Sequence, residues 1–195
     1  MERLDVSLLL PKTLISTLSQ GKRIYYLAGP IRGAGDWQAD AIRMLAKKDP
    51  GCWVVCPCRY NESHPLWEYR VIQINEGESF GNQTLWEQEY MPLAAQQGCL
   101  IFWIPCESET DPRPKEAGPY ARDTYGELGR YPKMISDCLE RKSLSMVVGA
   151  DPNLPEGFGM KQIKTNLDSD FGYQFPIENN LETLLQKAVV LAKAK

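Results

Sequence analysis

Histidine is almost missing from this chain: its 195 residues contain one, His64. That excludes a zinc site built on several histidines, and any Ser-His-Asp or Cys-His mechanism would have to run through this single residue. A lone histidine in a polar stretch reads as incidental. Charge of one sign is also scarce. Lys plus Arg number 22 against 25 for Asp plus Glu, a net charge of −3, which excludes a basic nucleic-acid coat and a polybasic membrane anchor as main themes. No apolar run approaches the ~20 residues of a bilayer span. The N-terminal run Val6-Ser7-Leu8-Leu9-Leu10 stops at Pro11 and is preceded by acids. It is too short for a signal sequence, so a cytoplasmic location is expected. In that setting the six cysteines read as reduced thiols. Cys52, Cys56 and Cys58 have no second pair or nearby histidine to complete a metal site. Cys52-Trp53-Val54-Val55-Cys56 reads instead as a buried strand in which cysteine packs as a small hydrophobe. There is no internal repeat and no low-complexity tract.

What is present is alternation of short apolar runs with helical periods. After a modestly apolar lead-in over 1–20, Arg23 to Ala28 is a β-prone run stopped by Gly29-Pro30. Trp37, Ala41, Met44, Leu45 and Ala46 recur at helical spacing behind Asp36 as N-cap, and Asp49-Pro50-Gly51 turns the chain. Trp53 to Cys56 is a second strand. Residues 59–82, polar with scattered aromatics (Trp67, Tyr69, Phe80), read as an inserted loop or lid. A helix over Thr84–Gln97, interrupted by Pro92, leads to Cys99–Pro105, apolar on both faces and so a central strand covered on both sides. After a polar loop over 106–122, Asp123-Thr124 caps a helix carrying Leu128, Tyr131, Ile135, Cys138 and Leu139, with Pro132 kinking or restarting it. Leu144 to Val148 is a fourth strand and Gln162 to Thr165 a short fifth. A closing helix from about Asn180 to 193 carries Leu181, Leu184, Leu185, Ala188 and Leu191.

This order predicts a single α/β domain over 1–195 with a core at about 22–150. Its architecture is a three-layer parallel sheet of flavodoxin-like or Rossmann-like type. In such sheets the site lies outside the carboxyl ends of the strands. The loops that would build it are Gly29–Gly33, Pro57-Cys58-Arg59, Pro105 to Glu127, and Gly149-Ala150-Asp151.

Within those loops, Tyr125-Gly126-Glu127-Leu128-Gly129-Arg130 places a carboxylate in what reads as a first helical turn. There the dipole favours its ionised form, and the flanking glycines let a ligand approach. Such a glutamate suits attack on an anomeric carbon, and a helix-capping acid is the bland alternative. Gly29-Pro30-Ile31-Arg32-Gly33-Ala34-Gly35 offers backbone N–H groups and a guanidinium to an anion. It is neither a Walker A loop nor a dinucleotide fingerprint, and no cofactor is expected. Trp86-Glu87-Gln88-Glu89-Tyr90 supplies two acids on one helix. Tyr25 and Tyr26 face opposite ways on the first strand, so one of them can approach Glu127 while the other joins the core.

Taken in order, these motifs resemble the nucleoside 2-deoxyribosyltransferase-like superfamily. Ile24-Tyr25-Tyr26-Leu27-Ala28-Gly29-Pro30 is similar to its Tyr-Leu-Ala-Gly-Pro strand. Trp86-Glu87 with Leu100 to Pro105 is similar to its middle helix and strand. Arg122 to Gly129 is similar to its closing motif ending Glu-Leu-Gly. The match spans roughly residues 23–150, about two thirds of the chain. The resemblance implies that Glu127 is the nucleophile at C1′ of a 2-deoxyribose and that Tyr26 orients it. The base-contacting acid is Glu89 by distance from Ile104-Pro105, or Glu87 by the Trp-Glu pairing. Asp123 is the nearest match to an additional acid, and Gly126 lies in the motif. Pro30-Ile31-Arg32-Gly33 is similar to the Ser-Ile-Arg-Gly loop with which the family's deoxynucleoside-monophosphate hydrolases hold a 5′-phosphate, with proline in place of serine. The implied partners are a nucleoside or nucleotide, a free nucleobase and a second copy of the chain, with no nucleic-acid polymer and no membrane. The implied activity is deoxyribosyl transfer to another base or to water. A non-catalytic nucleotide-binding module on the same fold is the rival.

Overall fold

The computed structural model describes residues 3–13, 21–72, 82–138, 145–155 and 158–195, the side chains at 134, 136–138, 158 and 159 excepted. Phe80, Leu139 and Leu144, named above, lie outside the described residues. Six strands form one all-parallel sheet: β1 (Val6–Leu9), β2 (Ile24–Ala28), β3 (Cys52–Val55), β4 (Gly98–Ile104), β5 (Met146–Ala150) and β6 (Ile177–Glu178), in the order β1-β3-β2-β4-β5-β6. Without β1 this is the flavodoxin-like order, and β1 adds an outer strand beside β3. β4 lies between β2 and β5, and all seven of its residues are buried, as expected of an apolar run covered on both sides.

The faces are covered by α1 (Trp37–Lys48) and α5 (Leu181–Lys193) on one side. On the other side lie α2 (Gln83–Gln97), α3 (Arg122–Cys138) and α4 (Phe158–Phe171). Two apolar clusters result, one per face. Tyr25, Leu27 and Ile101 belong to the first with Ile42, Leu45 and Leu184. Tyr26, Leu100 and Phe102 belong to the second with Trp86, Leu128 and Ile163. This is the period-two alternation of a strand feeding both layers. No helix among the described residues is long and apolar enough to cross a membrane.

Several sequence expectations need correction. The lead-in contains a strand: Val6–Leu9 pairs in register with Cys52–Val55. Four residues ahead of a proline carry too little period to reveal it. Gln162 to Thr165 is not a strand but lies inside α4, whose Ile163 and Leu167 are buried one helical turn apart. A four-residue window cannot separate the two periods. Asp123 and Thr124 do not cap α3. The helix begins at Arg122, after Ala121 takes the left-handed φ of 55°. α3 runs unbroken through Pro132 and α2 through Pro92, because packing outweighs the one lost backbone hydrogen bond in each. The described part of the 59–82 segment is folded cover rather than a free lid. It holds a 3₁₀ turn over Pro65–Tyr69, packs Trp67 and Tyr69 on the core, and returns Val71 N–H to Leu8 O at 2.8 Å. Asp36 places no side-chain bond on α1. Its carboxylate accepts the Tyr60 hydroxyl at 2.7 Å and meets His64 Nε2 at 2.9 Å, with the Tyr60 and His64 rings stacked 3.7 Å apart. Cys52, Cys56, Cys58, Cys99 and Cys106 are free, the first four buried.

Candidate active site

The strand order changes direction between β2, which leads back to β3, and β4. This is the switch point where an open parallel sheet leaves a crevice. A cleft of about 440 Å3 opens there, within the roughly 300–1,000 Å3 of small-molecule sites. β2 ends in its floor with Tyr26, Ala28 and the Gly29–Arg32 loop. The segment after β3 adds Pro57 and Arg59, and the first turns of α2 add Gln83, Thr84 and Glu87. Arg113 and the start of α3, with Asp123, Thr124 and Glu127, close the far wall.

The Gly29–Gly33 loop is held from beneath. Trp37 Nε1 and Gln38 Nε2, both on buried residues, donate to Pro30 O at 2.9 and 3.2 Å. A Cβ at Gly29 would collide with Trp103 O and the Trp37 ring, so only glycine allows this close approach. Gly33 takes φ +77°, and a Cβ there would lie 2.5 Å from Arg113 N. Ser108 N–H donates to Gly33 O at 2.7 Å. Gly33 therefore acts as the seam that docks the 106–118 loop, with Arg113, against the Pro30 loop.

Glu127 is half-buried in the second turn of α3, not the first. The helix dipole falls off within one turn and gives it little help. Burial comes first, then the carboxylates of Glu87 and Asp123, and together they raise its pKa to about 8. The ionised form expected from a first-turn position is thus opposed by burial and by two like charges, which favour the protonated carboxyl. Glu87 is also pushed above its usual range by burial, against a hydrogen bond from Gln83 Nε2 at 2.8 Å. Asp123 goes the other way. Burial would raise it, but Arg113 and Arg122 each donate to it at 3.3 Å and hold it below the usual carboxylate range.

Tyr26 is 1% exposed and lines the same cleft. Its hydroxyl has no bonded partner among the described residues, yet none of those residues leaves a buried side-chain polar atom unpaired. The oxygen therefore opens on the cleft. It does not bond Glu127. The two are coupled through space: burial first, then Glu87 and Glu127, push the phenol well above its ordinary value.

Of the residues singled out from sequence, Tyr26, Gly29, Pro30, Ile31, Arg32, Glu87, Asp123 and Glu127 line the cleft. Glu89 does not, since it is exposed on another face of α2. Two residues along a helix are a rotation of about 200°, and Trp86 and Tyr90 set that rotation by packing inward. Gly126 is exposed outside the cleft with open space around it, so its small size serves no approach by ligand there. Gly33 supports the loop from behind. The loop after β5 stays out of the lining. Sequence reasoning missed Gln83 and Thr84, and Arg113 and Thr124 entered it only within the Pro105 to Glu127 loop. Arg59 was visible only as part of a strand-end loop. Among the described residues no group of three or more His, Cys, Asp or Glu is placed to hold a metal ion.

No protein-family model matches the chain, and no curated protein matches it.

Proposed function

We propose that the chain cleaves the N-glycosidic bond of a (2-deoxy)nucleoside or its 5′-monophosphate, passing the sugar through Glu127 to another base or to water. The observation that carries this reading is the meeting of Glu127, Glu87 and the Tyr26 hydroxyl in one cleft at the switch point. Burial raises both half-buried carboxyls above the usual range, with Glu127 pushed up to about 8, which favours a proton in the cleft near neutral pH. A pair of titratable groups sharing a proton supplies both roles that glycosidic cleavage needs.

In the reacting form Glu127 is ionised and Glu87 carries the proton. A Glu127 oxygen bonds C1′ while the C1′–N bond breaks. Its electron pair goes to the base, which takes the proton from Glu87. The glycosyl ester on Glu127 is then resolved by water or a second base attacking C1′: the attacker's proton passes to the Glu87 carboxylate and the electron pair of the broken C1′–O bond returns to Glu127. On this reading the Tyr26 hydroxyl, which makes no bond to Glu127 in the free cleft, donates to the ionised glutamate once substrate is bound and holds its oxygen toward the sugar. Near neutral pH the free cleft keeps the proton on Glu127, so substrate must favour the exchanged arrangement.

The test incubates the protein with each deoxynucleoside and deoxynucleoside monophosphate, with and without a second free base, and follows products by chromatography. Base release that disappears in Glu127→Ala supports the reading. Exchange without net release marks a transferase. Ligand binding with no release from any substrate would leave the non-catalytic module.

A further inference from the structure

Three guanidiniums line the cleft, and they are not equivalent. Arg113 is committed: Nε and Nη2 donate to Ala117 O at 3.2 and 2.8 Å, and Nη2 reaches Asp123 at 3.3 Å. Arg32 makes no hydrogen bond or ion pair among the described residues. Arg59 has one partner there, a neutral one: its Nε and Nη2 donate to Gln83 Oε1 at 3.3 and 3.2 Å. Two cations without carboxylates thus stand on the loops after β2 and β3, while Glu87, Asp123 and Glu127 hold the helical wall.

Gln83 has only one orientation that satisfies both neighbours. A guanidinium only donates, so the amide oxygen must face Arg59. The amide nitrogen then donates to Glu87 Oε1 at 2.8 Å and to Pro57 O at 3.4 Å. Arg59, Gln83 and Glu87 form a directed chain from the cationic rim to the Glu87 carboxyl.

Resting on the glycosidic reading of this cleft, we propose that Arg59 receives a phosphate monoester on the substrate's sugar and that Gln83 relays this contact to Glu87. A phosphate dianion offers charge-assisted, two-pronged bonds that outcompete a neutral amide oxygen at 3.2–3.3 Å. As Arg59 turns to the phosphate, the Gln83 amide is released and its donor leaves Glu87 Oε1. Glu87 then takes a proton more readily, which is the state that base departure needs. The charged and titratable groups sharing the cleft with Glu87 are Tyr26, Arg32, Arg59, Arg113, Asp123 and Glu127. Among them Arg59 is the cation linked to Glu87 through one amide. The phosphate acts on affinity through Arg59 and on turnover through Gln83.

The full chain, Arg59→Ala, Arg59→Gln and Gln83→Leu are compared in two measurements. In the first, inorganic phosphate is titrated calorimetrically. Its affinity falls roughly tenfold or more in both Arg59 variants, the loss of a charge-assisted contact, and is retained in Gln83→Leu. In the second, base release is measured for one deoxynucleoside and its 5′-monophosphate across pH. The ratio of kcat/KM, monophosphate over nucleoside, falls roughly ten- to a hundredfold in the Arg59 variants. Gln83→Leu erases the monophosphate's advantage in kcat, leaves its advantage in KM, and moves the acid limb of the profile. Equal losses for both substrates in Arg59→Ala, or unchanged phosphate affinity, overturn the proposal. A wild-type chain that releases base from neither substrate overturns the glycosidic reading, and the phosphate titration still decides the role of Arg59.

Discussion

Tyr25 and Tyr26 are neighbours on β2, 0% and 1% exposed, and they meet carboxylates under opposite conditions. Tyr25 faces the α1/α5 layer and donates to Asp49 Oδ2 at 2.7 Å. Asp49 is buried but fully answered. Arg23 donates to it through Nε at 2.6 Å and through Nη2, and Lys193 stands 3.9 Å away. Burial would raise Asp49, yet Arg23 and Tyr25 hold it below its ordinary range. Tyr26 faces the other layer, where Glu127 and Glu87 are half-buried with no cation bonded to either carboxylate among the described residues. One acid is neutralised by its setting and serves the fold. The other two are left in tension and can move a proton.

The sharpest break in this comparison is Glu127→Gln. Base release falls by roughly a thousandfold or more, as for other lost nucleophiles, while circular dichroism stays native. Next comes Asp49→Ala, which strands Arg23 and the Tyr25 hydroxyl. Asp49 is buried but the Arg23 side chain is 36% exposed and takes water in its place, so the cost is about 1–3 kcal/mol, chiefly from the unanswered Tyr25 hydroxyl, read as a lower midpoint in denaturant.

The pH dependence of stability has opposite signs at the two sites. Asp49 has a depressed pKa, so its contribution is present above the unfolded value of 3.8 and is lost as pH falls through the folded value. Glu127 is raised from 4.5 to about 8, so ionising it costs stability progressively across that window. Glu127→Gln is therefore more stable than the wild type by on the order of 4 kcal/mol at pH 8 and equal to it near pH 4. An equal gain at both pH values would contradict the buried-acid account.

The rate has its own signature. kcat/KM declines above about 8 as the pair loses its last proton, and declines in acid when both carboxyls are protonated. Glu87→Gln removes the neighbouring charge and the proton donor together. The residual activity then rises with pH, with a midpoint below that of the wild type. The smallest effect is Gln38→Leu, which removes one of the two bonds to Pro30 O. About 1 kcal/mol of loop order corresponds to a fewfold rise in KM with kcat little changed.

How much of this could be read from the chain depends on distance along it. β2, β3, β4 and α5 are visible because their apolar periods are complete within a few consecutive residues. β1 is not, because its partner Cys52–Val55 lies more than forty residues away. Ile163 and Leu167 misled because four residues cannot display a helical turn. At the site, Glu127, Tyr26 and the Pro30 loop stood in recognisable motifs. Arg113 did not, because it reaches the cleft only through the Gly33 seam. Gln83 was hidden too, since its importance is the chain of bonds from Arg59 to Glu87.

The sequence by itself determined a parallel α/β sheet and the strand-end loops that border the cleft, in a chain with one histidine. These follow from local period and composition. Tertiary structure decided which of Glu87 and Glu89 faces the cleft, that Tyr25 bonds Asp49 while Tyr26 lines the cleft, and that burial and like charges push Glu127 above the usual carboxylate range. Helix rotation, burial and the approach of like charges are set by residues far apart in the chain, so no local pattern encodes them.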